Sequence, residues 1–159
     1  MQSGINVTNM FRGSSYHTID DKGRIVIPSR FRALARSEDS DGIMVSRMDL
    51  DQCLVGFPMA AWRQLEERIL QLAEKSDIMR RFRRVFIGSA QECACDRQDR
   101  ILIPPALRQY AGLNRDIVLV GVLDHFEIWS RDNYENEALM LSNDLKNPEA
   151  RNEIAKLGI

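Results

Sequence analysis

The stretch Asp20-Asp-Lys-Gly-Arg-Ile-Val-Ile-Pro28 occurs twice in the chain, the second time as Asp96-Arg-Gln-Asp-Arg-Ile-Leu-Ile-Pro104. Both copies place an Asp four positions before an Arg, and both end in an apolar run closed by a proline. A Gly-Ser pair that follows a Phe also precedes each copy at a similar distance. Chance rarely repeats a whole unit in order, so we interpret the chain as two tandem copies of one structural unit.

Each copy has the pattern of two short strands joined by a tight turn and followed by a short helix. The polar residues that begin at Asp20 favour a chain reversal, and Gly23 supplies the positive φ that such a turn needs. Asp99 stands at the equivalent position of the second copy and suits that conformation less well. The two prolines end the second strand and begin the helix. Further strands are predicted over 42–47, 53–57, 117–123 and 126–129.

A longer amphipathic helix is predicted after Pro58. Apolar residues recur there at spacings of three, four and three, which places them on one helical face. They are Trp62, Leu65, Ile69 and Leu72. This stripe packs either within the chain or against a second copy of it. Another helix is predicted from Asp77, as its N-cap, through Arg84, with four arginines on its polar faces.

The repeat divides the chain into four parts. Residues 1–9 form a polar N-terminal arm, 10–76 the first unit with its helix, 77–140 the second unit with the preceding basic helix, and 141–159 an acidic C-terminal tail. With 159 residues the chain is long enough to bury a core. The predicted fold class is α+β, built from two similar units of short strands with short and longer helices.

Overall composition favours a globular protein and gives no global charge signal for a partner. The chain holds 22 Lys+Arg and 23 Asp+Glu, a net charge of -1, and 44% of its residues are hydrophobic. No apolar run approaches the roughly 18 residues of a membrane span, and the N-terminus lacks the order of a signal peptide. We therefore expect a cytoplasmic protein without a membrane partner.

The charges are nevertheless segregated along the chain. Residues 10–36 hold six Lys/Arg and two Asp/Glu, and residues 77–110 hold seven and four. Residues 37–76 hold four and eight, and residues 111–159 hold five and nine. The two positive segments are those that contain the repeated turns, so a nearly neutral chain can still carry two basic patches of the kind that phosphate binding needs.

The candidate functional residues lie at and just after these turns. An exposed turn with cations at its tip has the reach and the donors for DNA phosphates and guanine edges. The predicted DNA-binding residues are Asp20, Lys22, Arg24, Arg32, Asp96, Arg97, Arg100 and Arg108. The other interpretation of each Asp-Arg pair is turn stabilisation alone, with the Asp capping amides and the Arg bridging to it.

No constellation of catalytic or metal-ligating residues is evident, so the chain is predicted not to be an enzyme and to need no cofactor. Cys93 and Cys95 fall on one strand face with a single residue between them, which is shorter than usual metal-site spacing. His17 stands opposite Cys93 in the repeat and is predicted to be a strand side chain. The run from Arg80 to Arg84 is more typical of a solvated helix face than of a binding site.

Several of these features together resemble the MraZ family. They are the Met10-Phe-Arg-Gly-Ser14 start, the two Asp-x-x-x-Arg turns, the Ile-x-Ile-Pro strand ends, and Phe126-Glu-Ile-Trp129. The resemblance covers about residues 10–135. Each half alone is also similar to AbrB-type swapped-hairpin DNA-binding domains, in which two hairpin units interleave into one barrel. The resemblance implies a β-barrel-like pseudo-dimer formed by one chain.

The family resemblance also implies a function. It is a sequence-specific regulator of transcription, with repression as the expected sign, that acts on the division and cell-wall gene cluster. Such a protein binds direct repeats in double-stranded DNA upstream of its own operon, assembles into a homo-oligomeric ring and is associated with the nucleoid. The DNA-contacting or site-defining residues implied here are Asp20, Arg24, Asp96 and Arg100.

Two other functions fit the same sequence. One is a self-assembling ring scaffold whose basic turns are structural and which acts through protein partners. The other is an RNA-binding module, which is disfavoured because the turns lack the aromatic platform on which bases stack.

Overall fold

The computed structural model describes residues 10–36, 42–72 and 76–159, so the predicted arm at 1–9 lies outside the described residues. In chain order the elements are β1 (Ser14–Thr18), β2 (Arg24–Val26), α1 (Ser29–Ala35), β3 (Ile43–Met48), β4 (Cys53–Pro58), α2 (Met59–Leu72), α3 (Asp77–Gly88), β5 (Gln91–Cys93), β6 (Arg100–Leu102), α4 (Pro105–Ala111), β7 (Asp116–Gly121), β8 (Phe126–Ser130), α5 (Arg131–Asp144) and α6 (Pro148–Ala155). The order ββαββαα thus occurs twice.

The two units share their sheets. A six-stranded antiparallel sheet has the order β1-β7-β8-β4-β3-β5, and a separate two-stranded ribbon pairs β2 with β6. Exchanging the units reverses the six-stranded order and leaves it otherwise the same, so the chain has a pseudo-twofold axis. Four of the six pairings join strands of different units. The prediction of an α+β fold with tandem swapped-hairpin units is confirmed.

The swap changes one local prediction. The turns form, with the amide of Asp20 donating to the carbonyl of Arg24 at 3.0 Å and that of Gly23 donating to Asp20 at 2.9 Å. Beyond the turn, however, β1 leaves to pair with β7 while β2 pairs with β6. The two strands that flank each turn are predicted to pair with each other, but each pairs with a strand of the other unit. Alternation and turn residues within one unit do not reveal this exchange.

One apolar core serves both units. The inward residues of the ribbon, Ile25, Ile27, Ile101 and Ile103, are almost completely buried. Beneath them lie the rings of Phe11, Phe31 and Phe126, with centroids 5.2 to 5.5 Å apart. Burial of each such side chain contributes roughly 1.5–3 kcal/mol. The ribbon is therefore fixed to the body of the protein by its inner face.

A second core lies between α2, α3 and the sheet. Trp62 and Ile69 of the predicted stripe are buried there, with Leu65 packed against them. The ring of Trp62 lies 5.4 Å from that of Phe86 on α3. Most of the stripe is thus used within the chain, and only Leu72, at 61% exposure, remains for another partner. The stripe therefore gives little support to oligomer formation.

The capping residues differ from the sequence prediction at α3 and agree with it at α4. Ser76, and not Asp77 as predicted, is the N-cap of α3, because its hydroxyl accepts from the amide of Met79 at 3.1 Å. Asp77 instead lies in the first turn and pairs with Arg80. Gly112 ends α4 in the left-handed conformation at φ 65°, as expected. The tail predicted at 141–159 includes the end of α5 and the whole of α6.

Candidate nucleic-acid interface

The first turn is organised by the carboxylate of Asp20. Its Oδ1 accepts from the amides of Lys22 at 3.0 Å and Arg24 at 2.8 Å. Its Oδ2 accepts from Nε of Arg24 at 2.7 Å. One side chain thus closes the turn and fixes the base of a guanidinium, whose remaining N–H groups are left to act as donors.

The second turn repeats this network. Oδ1 of Asp96 accepts from the amides of Gln98 and Arg100, each at 2.9 Å, and Oδ2 accepts from Nε of Arg100 at 2.9 Å. Asp99 takes a positive φ of 58° where Gly23 has 85°. The turn therefore keeps its shape although Asp replaces Gly, because Asp tolerates the left-handed region better than most residues.

Hydrogen bonding lowers the pKa of both turn carboxyls. For Asp20 the main cause is the amide of Arg24, and for Asp96 it is the amide of Arg100. The arginine side chains add to the effect in each case. Both carboxylates therefore stay charged at neutral pH and keep their arginines in place.

The ribbon of β2 and β6 carries these two arginines on its outer face. Its register pairs Arg24 with Leu102 and Val26 with Arg100 around the central pair of Ile25 and Ile101. Because strand residues alternate between faces, the four residues other than the isoleucines point outward together. Val26 is 44% and Leu102 55% exposed. The result is an exposed two-stranded ribbon with two arginines on one diagonal and two aliphatic side chains on the other.

The two turns lie at opposite ends of this ribbon. The carbonyl of Gly23 in the first turn accepts from the amide of Ile103 at 2.9 Å. The carbonyl of Asp99 in the second turn accepts from the amide of Ile27 at 2.8 Å. Each turn thus continues the ribbon beyond the end of the strand that the other unit supplies. The exposed Lys22 and Arg97 lie at the tips of the two turns.

A helix from the opposite unit covers each turn. Arg32 on α1 donates from Nε to Oδ1 of Asp99 at 3.3 Å, and Arg36 lies 3.9 Å from the same oxygen. Arg108 on α4 lies against Gly23, where a Cβ atom would come within 2.5 Å of its Cζ. All eight predicted residues are therefore brought to the ribbon, its turns or its flanks.

Sequence reasoning missed the outward aliphatic pair Val26 and Leu102. The alternation of the two Ile-x-Ile runs could have placed them on the face opposite the core. Their exposure reflects the short two-stranded ribbon, whose outer face no other described element covers. The outer face of the ribbon therefore combines two arginines with an exposed aliphatic pair.

Other candidates lie elsewhere. Cys93 is buried in the main core and Cys95 packs against it, and burial raises the pKa of the Cys93 thiol to about 11. His17 is a strand residue of β1, and partial burial lowers its pKa. Within the described residues no group of three or more His, Cys, Asp or Glu could hold a metal. Among the same residues, no helix has both the length and the apolar character that crossing a membrane requires.

The repeated geometry has a direct counterpart among known families. A model of the family described as "MraZ protein" matches the chain twice, over residues 10–85 and 86–153. The chain belongs to the MraZ family. The two matches meet inside α3. Together they include both of the interleaved units of this MraZ-family chain.

Three similar MraZ proteins are named transcriptional regulator MraZ. The protein of Desulforapulum autotrophicum is 52% identical over 150 residues, which are 94% of this chain and 100% of the relative. That of Desulfosudis oleivorans is 48% identical over 150 residues with the same 94% and 100% coverage. That of Moorella thermoacetica is 44% identical over 126 residues, 79% of this chain and 85% of the relative. Their named role involves no catalysis, and the prediction that this chain is not an enzyme is confirmed on that ground.

Proposed function

We propose that this chain is a sequence-specific regulator of transcription that inserts its β2–β6 ribbon into the major groove of double-stranded DNA. The observation that carries the proposal is the outer face of the ribbon, where Arg24 and Arg100 are each held at Nε by a turn carboxylate. A two-stranded ribbon fits the major groove, and a guanidinium donates to O6 and N7 of guanine. The names of the relatives support a role in transcription.

The other predicted residues divide by position. Asp20 and Asp96 act as positioning residues, since their oxygens are already occupied by turn amides and by an arginine. The exposed Lys22 and Arg97 at the turn tips contact phosphates on either side of the groove. Val26 and Leu102 offer apolar contact to thymine methyl groups.

The predicted target is the DNA upstream of the chain's own operon, where direct repeats are bound and the division and cell-wall genes are repressed. The family resemblance supports this target and an association with the nucleoid in the cytoplasm. A ring of subunits that all present the ribbon on the same face would hold several repeats at once. Such multivalency compensates for the small number of phosphate contacts that one ribbon can make.

A self-assembling scaffold that acts through protein partners is the second candidate. The observation that favours it is a set of exposed apolar residues on and after the C-terminal helices. They are Leu139, Met140, Leu141, Leu157 and Ile159. A scaffold of this kind would not need the two arginines to be prearranged on one face, and this favours the DNA-binding function.

Footprinting on the DNA upstream of the gene separates the two functions. The regulator protects short direct repeats, and its affinity falls steeply with salt because phosphate binding releases counterions. The scaffold protects nothing at low salt. Loss of protection with Arg24→Ala, but not with Arg81→Ala on the exposed face of α3, assigns the footprint to the ribbon.

A further inference from the structure

The two flanks of the ribbon differ in the residue that each covering arginine faces. The second turn has Asp99 where the first has Gly23, although the two turns share every hydrogen bond of the Asp-x-x-x-Arg network. The covering arginines, Arg32 and Arg108, also match in the repeat. The flanks therefore match in backbone and in one covering arginine but not in the residue that this arginine faces. The second-turn flank also holds Arg36, whose place in the repeat is taken by Gly112.

On the second-turn flank the cation is already engaged. Arg32 is only 5% exposed, and its Nε donates to Oδ1 of Asp99. Arg36 shares the same oxygen at 3.9 Å. A phosphate arriving here would have to displace a carboxylate and would then lie beside that carboxylate's negative charge, which opposes binding.

On the first-turn flank the cation has no such partner. Nε of Arg108 is buried and lacks a hydrogen-bond acceptor among the described residues. Within the same part of the chain, no carboxylate lies within ion-pair distance of its guanidinium. The guanidinium lies against the backbone of Gly23, which itself bonds to β6 at the end of the ribbon. A fixed charge with an unsatisfied N–H is therefore held at the margin of the proposed DNA surface.

From this contrast we infer that Arg108 binds a DNA backbone phosphate on the first-turn flank, whereas the second-turn flank has no equivalent contact. The inference rests on the proposed DNA-binding function and adds a polarity to it. A phosphate oxygen accepts from the outer N–H groups of this guanidinium, while Nε stays buried against the turn. This contact does not require an existing ion pair to break. The ribbon thus has one flank that binds the sugar-phosphate backbone and one that does not. This difference fixes the direction of the ribbon on a direct repeat.

Glycine at position 23 is essential to this arrangement. A Cβ atom there would lie 2.5 to 2.8 Å from three atoms of Arg108, and the positive φ of 85° already favours glycine. A side chain would push the guanidinium away from the ribbon. Asp99 shows the other possible outcome, since a carboxylate at this position captures the arginine that faces it.

The test is the salt dependence of binding to a duplex that carries one repeat and to a random duplex of equal length. Each phosphate contact contributes about 0.9 to the slope of log affinity against log salt. Arg108→Gln lowers the slope by about 0.9 on both duplexes, because a phosphate contact carries no sequence information. Asp99→Gly raises the slope by about 0.9, because it releases the exposed Arg36 for phosphate.

Two further variants complete the design. Adding Arg36→Gln to Asp99→Gly removes the gain that Arg36 supplies, and thermal melting confirms that each variant is folded. Asp21→Asn removes the same charge from the first turn without releasing an arginine, and it leaves the slope at the wild-type value. This control separates a freed contact from a general change in charge.

The outcomes distinguish this inference from the function on which it rests. If the wild-type chain binds neither duplex in a salt-dependent way, both fail. If the wild type binds and Arg108→Gln keeps the wild-type slope, DNA binding stands and the phosphate contact is overturned. A loss confined to the repeat duplex would also overturn it, because that result would make Arg108 a base-reading residue.

Discussion

Asp20 and Arg24 are joined at two points, since one carboxylate oxygen accepts from the backbone amide of Arg24 at 2.8 Å and the other from its Nε at 2.7 Å. The first bond closes the turn, and the second sets the direction in which the guanidinium leaves the ribbon. Turn stabilisation and DNA recognition, which the sequence presents as alternatives, are therefore compatible in this geometry. The carboxylate stabilises the turn, and the same contact prepares the arginine.

The first prediction concerns this positioning role. Asp20→Asn keeps the size of the side chain but removes the charge that holds Nε of Arg24. We expect the preference for repeat DNA over random DNA to fall, while binding to random DNA is kept or strengthened because a negative charge is lost. Competition gel shifts with both duplexes measure the two effects. An unchanged preference would show that Arg24 needs no support from Asp20.

The second prediction is a pH dependence of stability. The folded-state pKa values of Asp20 and Asp96 are lowered, so their contribution is present above the unfolded pKa of about 3.9 and is lost as the pH falls through the folded values. Thermal melting of the wild type and of the double variant Asp20→Asn, Asp96→Asn should differ at pH 7. That difference should shrink below about pH 4. A constant difference down to pH 3 would contradict the proposed ionic role.

The third prediction compares neighbouring residues on β2. Ile25 is fully buried at the central pair of the ribbon, whereas Val26 faces outward. Ile25→Ala should lower the free energy of unfolding by about 2–5 kcal/mol, and Val26→Ala should change it by no more than about 0.5 kcal/mol. Denaturant titration measures both. Similar losses in the two variants would mean that the outer face is buried in solution, for example by another subunit.

Much of this architecture can be predicted from the repeat. The strand ends at the two prolines, the short helices after them and the helix stop at Gly112 follow from local sequence, because each depends on backbone chemistry at one position. The sharing of β1 with β7 does not, because Ser14–Thr18 carries no information about which unit holds its partner. The α5 helix is not predicted, because it buries none of its residues and so lacks the apolar stripe that predicts α2 after the equivalent strand of the first unit.

The candidate site is also predictable from the sequence only in part. Cations at the turns are visible in the sequence as an Asp and an Arg at fixed spacing. Their common outward face is not, because it depends on the register that places Arg24 opposite Leu102. The contrast between Arg32 and Arg108 needs three dimensions as well, since each arginine faces a turn that lies far away in sequence.

The fourth prediction concerns the spacing of repeats. Two direct repeats at their native spacing should bind about 10² to 10⁴ times more tightly than one, because the proposed ring would meet the second repeat at high effective concentration. Insertion of about 5 bp, half a helical turn, should remove most of this gain by rotating one repeat off the shared face. Gel-shift titrations on the three duplexes measure the effect. Equal affinities would rule out a shared ring while leaving single-site binding intact.

Arg24, which Asp20 holds in position, allows the most direct test of whether the ribbon reads DNA sequence. The quantity to measure is the ratio of the affinities for repeat DNA and random DNA. An arginine that reads guanine contributes about 1–3 kcal/mol of discrimination, so Arg24→Ala should lower this ratio by about 5- to 150-fold. Arg81→Ala on α3 serves as the control and should leave the ratio at the wild-type value. An equal loss of affinity on both duplexes with Arg24→Ala would reduce the residue to a phosphate contact, and no loss on either duplex would contradict the ribbon as the DNA-reading surface.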